Sequence, residues 1–231
     1  MLYTEESVRA GLRVREGKRK FFLAEGDRLT PAARDWLRRE GVELVEGAER
    51  PPASYTTPFG GSFDQKPEHM THLAGNVLVP KDHPRIAFRG RIDALEADIL
   101  LCQGASEGHP GLVEALQELL DFVRSLIRAD VLEEPVREVR LCGLDAAALR
   151  ERSHYPAKFY GQPHFMPAHR DGPALLWLNR VRTAVRETEL AAYRAFSDRD
   201  GLVTRPDILQ ALNRLSSLCW ILMIQVKAGS L

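Results

Sequence analysis

From about residue 84 to near its end, the chain keeps returning apolar side chains at every third or fourth position, in long runs broken by Pro, Gly and polar residues. This period places one continuous apolar stripe along a helix and is the strongest local evidence for that structure. It predicts helices at about 84–105, 109–129, 144–153, 171–197 and 204–227. Four of the five are long, and no convincing strand alternation interrupts them. The expected fold class is therefore all-α, an up-and-down bundle of about five helices. The longest uninterrupted apolar stretch, near Leu218–Val226, falls short of the ~20 residues needed to span a bilayer.

The first 48 residues read differently. Lys20–Ala24 has the character of a short strand, and Val42–Val45 of a second. Between them Thr30 fits an N-cap and Pro31 the first helical position, while Gly41 supplies a stop. This strand–helix–strand piece is too small for an independent enzyme and reads as a docking or interaction module. Residues 49–70 are rich in Pro, Gly and Ser without apolar periodicity, which predicts a linker. The expected organisation is a module at 1–48, a linker at 49–70 and a helical domain at 71–231.

Charge narrows the function. Lys and Arg total 32, as do Asp and Glu, so the chain is neutral overall. A neutral chain gives no electrostatic argument for a nucleic-acid or membrane-surface partner, and an anion site must come from a local cluster. The three cysteines, Cys102, Cys142 and Cys219, are far apart and form no CxxC pair, which suits free thiols in the cytoplasm better than a disulfide framework or a zinc ribbon. The charged N-terminus has no apolar core of a signal peptide.

Three helices carry polar stripes with complementary residue types. On the first, Arg85, Arg89, Asp93 and Glu96 share a face opposite Ile86, Ile92, Leu95 and Ile99, and Lys81, His83 and Arg85 crowd its entry. Helix N-termini favour anions, so this cluster fits phosphate oxygens, although the pattern alone favours a solvated basic turn. On the fourth, Asn179, Arg182, Arg186 and Glu189 form a stripe apart from Leu175, Leu178, Val181 and Val185. Two arginines one turn apart suit adjacent phosphates, and also suit an exposed Arg/Glu ladder. The last helix is apolar nearly all round yet holds Gln210, Asn213, Arg214 and Ser217. Buried polar groups need partners, either on other helices or on a ligand. The segment 158–172, KFYGQPHFMPAHRDG, is aromatic and loop-like and suits a cap on the core or a lid over a flat ligand.

At these segments the chain resembles the ethanolamine-utilisation cobalamin adenosyltransferases and, more distantly, the propanediol-utilisation-type ATP:cob(I)alamin adenosyltransferases. The resemblance is carried by KDHPRIAFRGRIDALEADI (81–99), RADVLEEP (128–135), LNRVRTAVRETEL (178–190) and RPDILQALNRLSS (205–217), in the family's order. It implies transfer of the 5′-deoxyadenosyl group of ATP to the cobalt of reduced cobalamin, with Mg²⁺ carried by ATP and no other metal. It implies ATP contacts from Lys81, Arg85, Arg89, Arg182, Arg186, Glu189 and Asn213. Arg182, Arg186 and Asp93 are the implied catalytic set, with Asp93 fixing the Arg182 guanidinium. His164, Phe165 and Met166 are the cobalamin-side candidates, Phe165 keeping the lower axial face of the corrin free of its base. The resemblance also implies a homo-oligomer, a trimer by preference, with ATP at subunit interfaces, and a cytoplasmic or microcompartment location with a reductase or shell partner. The family's Gly-rich TGDxG phosphate loop is replaced by MTHLAGNVL, in which Thr71 and Asn76 are able to contribute. The Cys-rich metal motif of some ethanolamine-type enzymes has no cysteine here, so no structural zinc or iron site is expected. Two other readings compete: a microcompartment scaffold, and a corrinoid carrier without chemistry. The chain has no GxxxxGK[ST] phosphate loop.

Overall fold

A computed structural model describes residues 1–15, 17–47 and 54–231 of the chain. It separates into two compact units, Met1–His83 and Pro84–Leu231.

The first unit is built on strands. Its elements are β1 (Leu2–Tyr3), α1 (Glu5–Ala10), β2 (Arg13–Arg15), β3 (Lys18–Leu23), β4 (Arg28–Leu29), α2 (Pro31–Arg39), β5 (Glu43–Glu46), β6 (Tyr55–Thr56), β7 (Ser62–Phe63), β8 (Met70–Ala74) and β9 (Val77–Pro80). The strands β5-β3-β2-β7-β6-β9-β8 form a mixed seven-stranded sheet in that order, and β1 pairs with β4. α2 begins as its sequence dictates: the Thr30 side chain accepts from the Ala33 N–H at 3.2 Å and Pro31 occupies the first turn. It ends at Gly41, whose φ of +63° is a conformation that glycine adopts at little cost. The connection returns β5 parallel to β3, with Phe21 opposite Leu44. Val8, Phe21, Leu23, Ala33, Trp36, Leu37 and Val42 form this unit's core.

The expectation of an all-α chain is overturned by this sheet. Part of the stretch expected to be a linker carries β6 and β7, and the next residues form the β8–β9 hairpin. β6 and β7 are two residues each; they pair with each other, and each also takes a partner distant in sequence, β7 lying parallel to β2 and β6 pairing with β9. Strand formation of that kind depends on non-local pairing, so a local reading of a Pro- and Gly-rich segment passes over it. Residues 49–53 of the expected linker, and position 48 at the end of the expected module, lie outside the described residues.

The second unit contains α3 (Pro84–Gly104), α4 (Pro110–Val131), a short hairpin of β10 (Arg140–Leu141) and β11 (Leu144–Asp145), α5 (Ala146–His154), α6 (Pro156–Tyr160), α7 (Gly172–Phe196) and α8 (Pro206–Ala228). α3 buries Phe88, Ile92, Leu95, Ile99 and Cys102 along one stripe, and α7 buries Leu175, Leu178, Val181 and Val185. α8 is different: Ile221, Leu222, Met223 and Ile224 are all buried, four in succession. Only a helix covered on several sides does this, and α8 packs on α7, α5, α6 and α4. Each fully buried Leu or Ile contributes on the order of 1.5–3 kcal/mol. This packing fixes the rotation of α8 and hence the direction of its few polar side chains. Among the described residues no helix is long and apolar enough to cross a membrane.

Candidate functional site

A cleft of about 370 Å³ opens in the helical unit, lined by Ser153, His154, His164, Arg182, Arg186, Asn213, Ser216, Ser217 and Trp220. Its walls come from α5, α7, α8 and the loop before α7. Arg182 and Arg186 stand one turn apart on α7, and Asn213, Ser217 and Trp220 follow one another up a single face of α8.

The Arg182 guanidinium is held by a neutral group. Its Nε and one terminal nitrogen donate to Oδ1 of Asn179 at 3.2 and 3.0 Å, and it lies 5.8 Å from the Trp220 ring centroid. Burial, and next the adjacent charge of Arg186, lower its pKa from the usual arginine value, yet an arginine stays charged at any physiological pH. Among the described residues neither Arg182 nor the exposed Arg186 pairs with a carboxylate. Two uncompensated cations with forked donors therefore face a cleft, and that arrangement attracts a multiply charged anion.

One edge of the cleft is aromatic. Trp220 stacks on Phe165 at a centroid distance of 5.3 Å and on His164 at 5.7 Å. Its indole N–H donates to Nδ1 of His164 at 3.1 Å. Lys227 sits 5.5 Å from the Phe165 ring and pairs with Asp171 at the start of α7. Met166 is 88% exposed. Nδ2 of Asn213 donates to Oε1 of Glu189 at 3.2 Å.

The structure thus brings Arg182, Arg186, Asn213 and His164 around one cavity, with Glu189 and Phe165 attached to its walls. Within the same unit, Arg85, Arg89 and Asp93 do not line it. Arg85 and Arg89 grip Asp130, a fully buried carboxylate on α4: their Nε atoms lie 2.9 and 2.6 Å from its two oxygens. Arg85 lines a second cleft with Glu133, Phe196, Thr204 and Arg205. Asp93 is exposed on α3, and no ion pair joins it to Arg182 among the described residues. Lys81 follows β9 in the first unit, its N–H donating to the His69 carbonyl at 3.1 Å. Thr71 lies within β8 opposite Val79, and Asn76 is in the β8–β9 turn.

Sequence reasoning missed Trp220, Ser153, His154 and Ser216. For Trp220 a signal existed, because it falls seven residues beyond Asn213, two helical turns along the same face. His154 and Ser153 reach the cleft only through the placement of α5 against α8, which no local pattern encodes.

The Cobalamin adenosyltransferase family model matches residues 62–226. The chain is 34% identical to the corrinoid adenosyltransferase EutT of Salmonella typhimurium, over 96% of its own length and 90% of that protein. It is 33% identical to the EutT of Escherichia coli K12 over the same shares. Among solved structures, a variant PduO-type ATP:corrinoid adenosyltransferase from Lactobacillus reuteri, complexed with cobalamin and ATP, is similar at a TM-score of 0.53 and 18% identity. That likeness covers 71% of this chain and 89% of the other, and concerns the fold alone.

Proposed function

Because the chain belongs to the cobalamin adenosyltransferase family, we propose that it is an ATP:corrinoid adenosyltransferase that moves the 5′-deoxyadenosyl group of ATP onto the cobalt of a reduced corrinoid. In this reaction the cobalt supplies the electron pair of the new cobalt–carbon bond. The C5′–O bond breaks, and triphosphate leaves with its electrons. No protein base is required, so the chain's task is binding, alignment and charge stabilisation.

The observation that carries the reading is the Arg182–Arg186 pair, without carboxylate partners among the described residues, facing a cleft that Asn213 and an aromatic edge also line. In the proposed complex the guanidinia take the triphosphate, where negative charge grows as the C5′–O bond breaks. Mg²⁺ enters with ATP on the same phosphates. Asn213 supplies a neutral donor beside them, and Glu189 holds Asn213. The stack of His164, Phe165 and Trp220 gives the corrin a flat apolar boundary and excludes water from the cobalt. A carrier without chemistry has no use for two unneutralised arginines beside that boundary. Self-association, as a trimer with ATP at subunit interfaces, and a cytoplasmic setting linked to ethanolamine utilisation belong to the same proposal.

The test is direct. Protein, ATP, Mg²⁺ and chemically reduced cobalamin should yield the adenosylcobalamin spectrum. Arg186→Ala should keep its fold by circular dichroism and lose about 10²–10³ in kcat. Wild-type turnover in that variant would refute the role given to α7.

A further inference from the structure

Arg214 is an expensive residue to keep where it lies. It is on α8 at 8% exposure, and its Nε is buried with no hydrogen-bond partner among the described residues. Burial, and then the nearby charge of Arg150, lower its pKa, while Glu189 acts in the opposite direction. A buried cation beside a second cation, with one donor unmet, does not serve packing: an apolar chain of similar length would fill the space without desolvating a charge. Such a group in a folded protein calls for a reason.

The hydrogen bond it does make supplies that reason. A terminal nitrogen of Arg214 donates to Oδ1 of Asn213 at 2.6 Å. A guanidinium has donors only, so it fixes which end of the Asn213 carboxamide faces it. The amide oxygen must turn toward Arg214, and the Nδ2 donors must turn the other way, where one meets Oε1 of Glu189 at 3.2 Å. Asn213 lines the cleft and Arg214 does not. We propose that Arg214 is a positioning residue that locks the Asn213 carboxamide so that it offers the cleft a hydrogen-bond donor, matched to the phosphate or ribose oxygens of a nucleotide. The proposal rests on the nucleotide reading of the cleft. It assigns Arg214 no contact with substrate.

Without Arg214 the Asn213 amide is free to flip and to present its oxygen to an anionic ligand, and one lost hydrogen bond of ordinary strength reads as about tenfold in affinity. Arg214→Met keeps the length of the side chain and removes both charge and donors. The expected result is a rise of about tenfold in the KM for ATP and in the Kd for ATP by calorimetry, a smaller change in the KM for cobalamin, and no fall in Tm. Arg214→Lys keeps the charge and should recover part of the affinity. In a double-mutant cycle, Asn213→Ala/Arg214→Met should bind ATP no more weakly than Asn213→Ala alone, because Arg214 then has nothing to orient. Additive losses, or Arg214→Met with unchanged ATP affinity, would overturn the positioning role while leaving the nucleotide reading intact. Wild-type protein that bound no ATP would overturn both.

Discussion

Replacing Asp130 by alanine removes the one carboxylate that two arginines share. Asp130 is fully buried, and the side chains of Arg85 and Arg89 are 18% and 17% exposed. Breaking a buried pair by deleting one partner costs about 3–5 kcal/mol, because the remaining charge has been taken out of water. Two features set the expectation at the low end. Each guanidinium keeps some contact with solvent, and Arg85 retains the backbone carbonyl of residue 130 at 2.8 Å and Glu133 at 3.3 Å. A loss of about 3 kcal/mol, divided by a urea m-value of about 2 kcal/mol/M, lowers the midpoint by about 1.5 M. The assay is urea unfolding followed at 222 nm, which reports mainly the long helices of Pro84–Leu231. Asp130→Asn, which preserves shape and one acceptor, should lose roughly half as much. Arg85→Met/Arg89→Met/Asp130→Leu should cost less than Asp130→Ala alone, since it removes the charges together. A midpoint shift below about 0.5 M for Asp130→Ala, at unchanged m, would refute the idea that this carboxylate neutralises the two arginines.

Two further outcomes follow from the titrating groups. Burial pushes the thiols of Cys102 and Cys219 up to about 12, and that of Cys142 to about 11. Since the thiolate is the reactive form, native protein at pH 8 should leave all three unmodified by Ellman's reagent over minutes and yield all three once denatured; a fast stoichiometric thiol in the native state would contradict this. Asp207 is lowered to about 2, first by its hydrogen bond with Arg205 and also by the N–H of Val136, which lies 3.0 Å away. A depressed carboxyl contributes stability above its unfolded value of about 3.9 and loses it as pH falls through the folded value. Tm should therefore decline between about pH 4 and pH 2, and Asp207→Asn should flatten that decline; identical profiles would show that the contact contributes nothing.

Helix starts were legible because the side chains that make them are local. Thr30 and Pro31 open α2, and Pro84, Pro110 and Pro206 stand at the first positions of α3, α4 and α8. The apolar stripes of α3 and α7 follow from their period alone. The sheet was less accessible. β6 and β7 are only two residues each, too short for alternation to show, and besides pairing with each other they are held by partners up to tens of residues away. The β8–β9 hairpin did have a local signature, since Gly75-Asn76 sits between two apolar runs as a two-residue turn and Gly75 adopts φ +52°.

The arginines of the chain mark the limit of such reading. Arg85 and Arg89 on α3 stand four residues apart, and so do Arg182 and Arg186 on α7, so spacing cannot tell the pairs apart. What separates them is the partner each meets in three dimensions. Asp130 approaches α3 from α4, some forty residues on, and takes both Nε donors of its pair. α7 meets no such carboxylate at Arg182, which is steadied instead by the neutral oxygen of Asn179 and keeps its charge uncancelled. A guanidinium already neutralised by a buried carboxylate must break that pair before it can bind phosphate, at a cost of about 3–5 kcal/mol. One oriented by an amide has no such pair to break. In the function proposed above, the preference for α7 over α3 as the triphosphate-binding helix is therefore energetic, and it comes from the identity of one residue on each side: Asp130 in one case, Asn179 in the other.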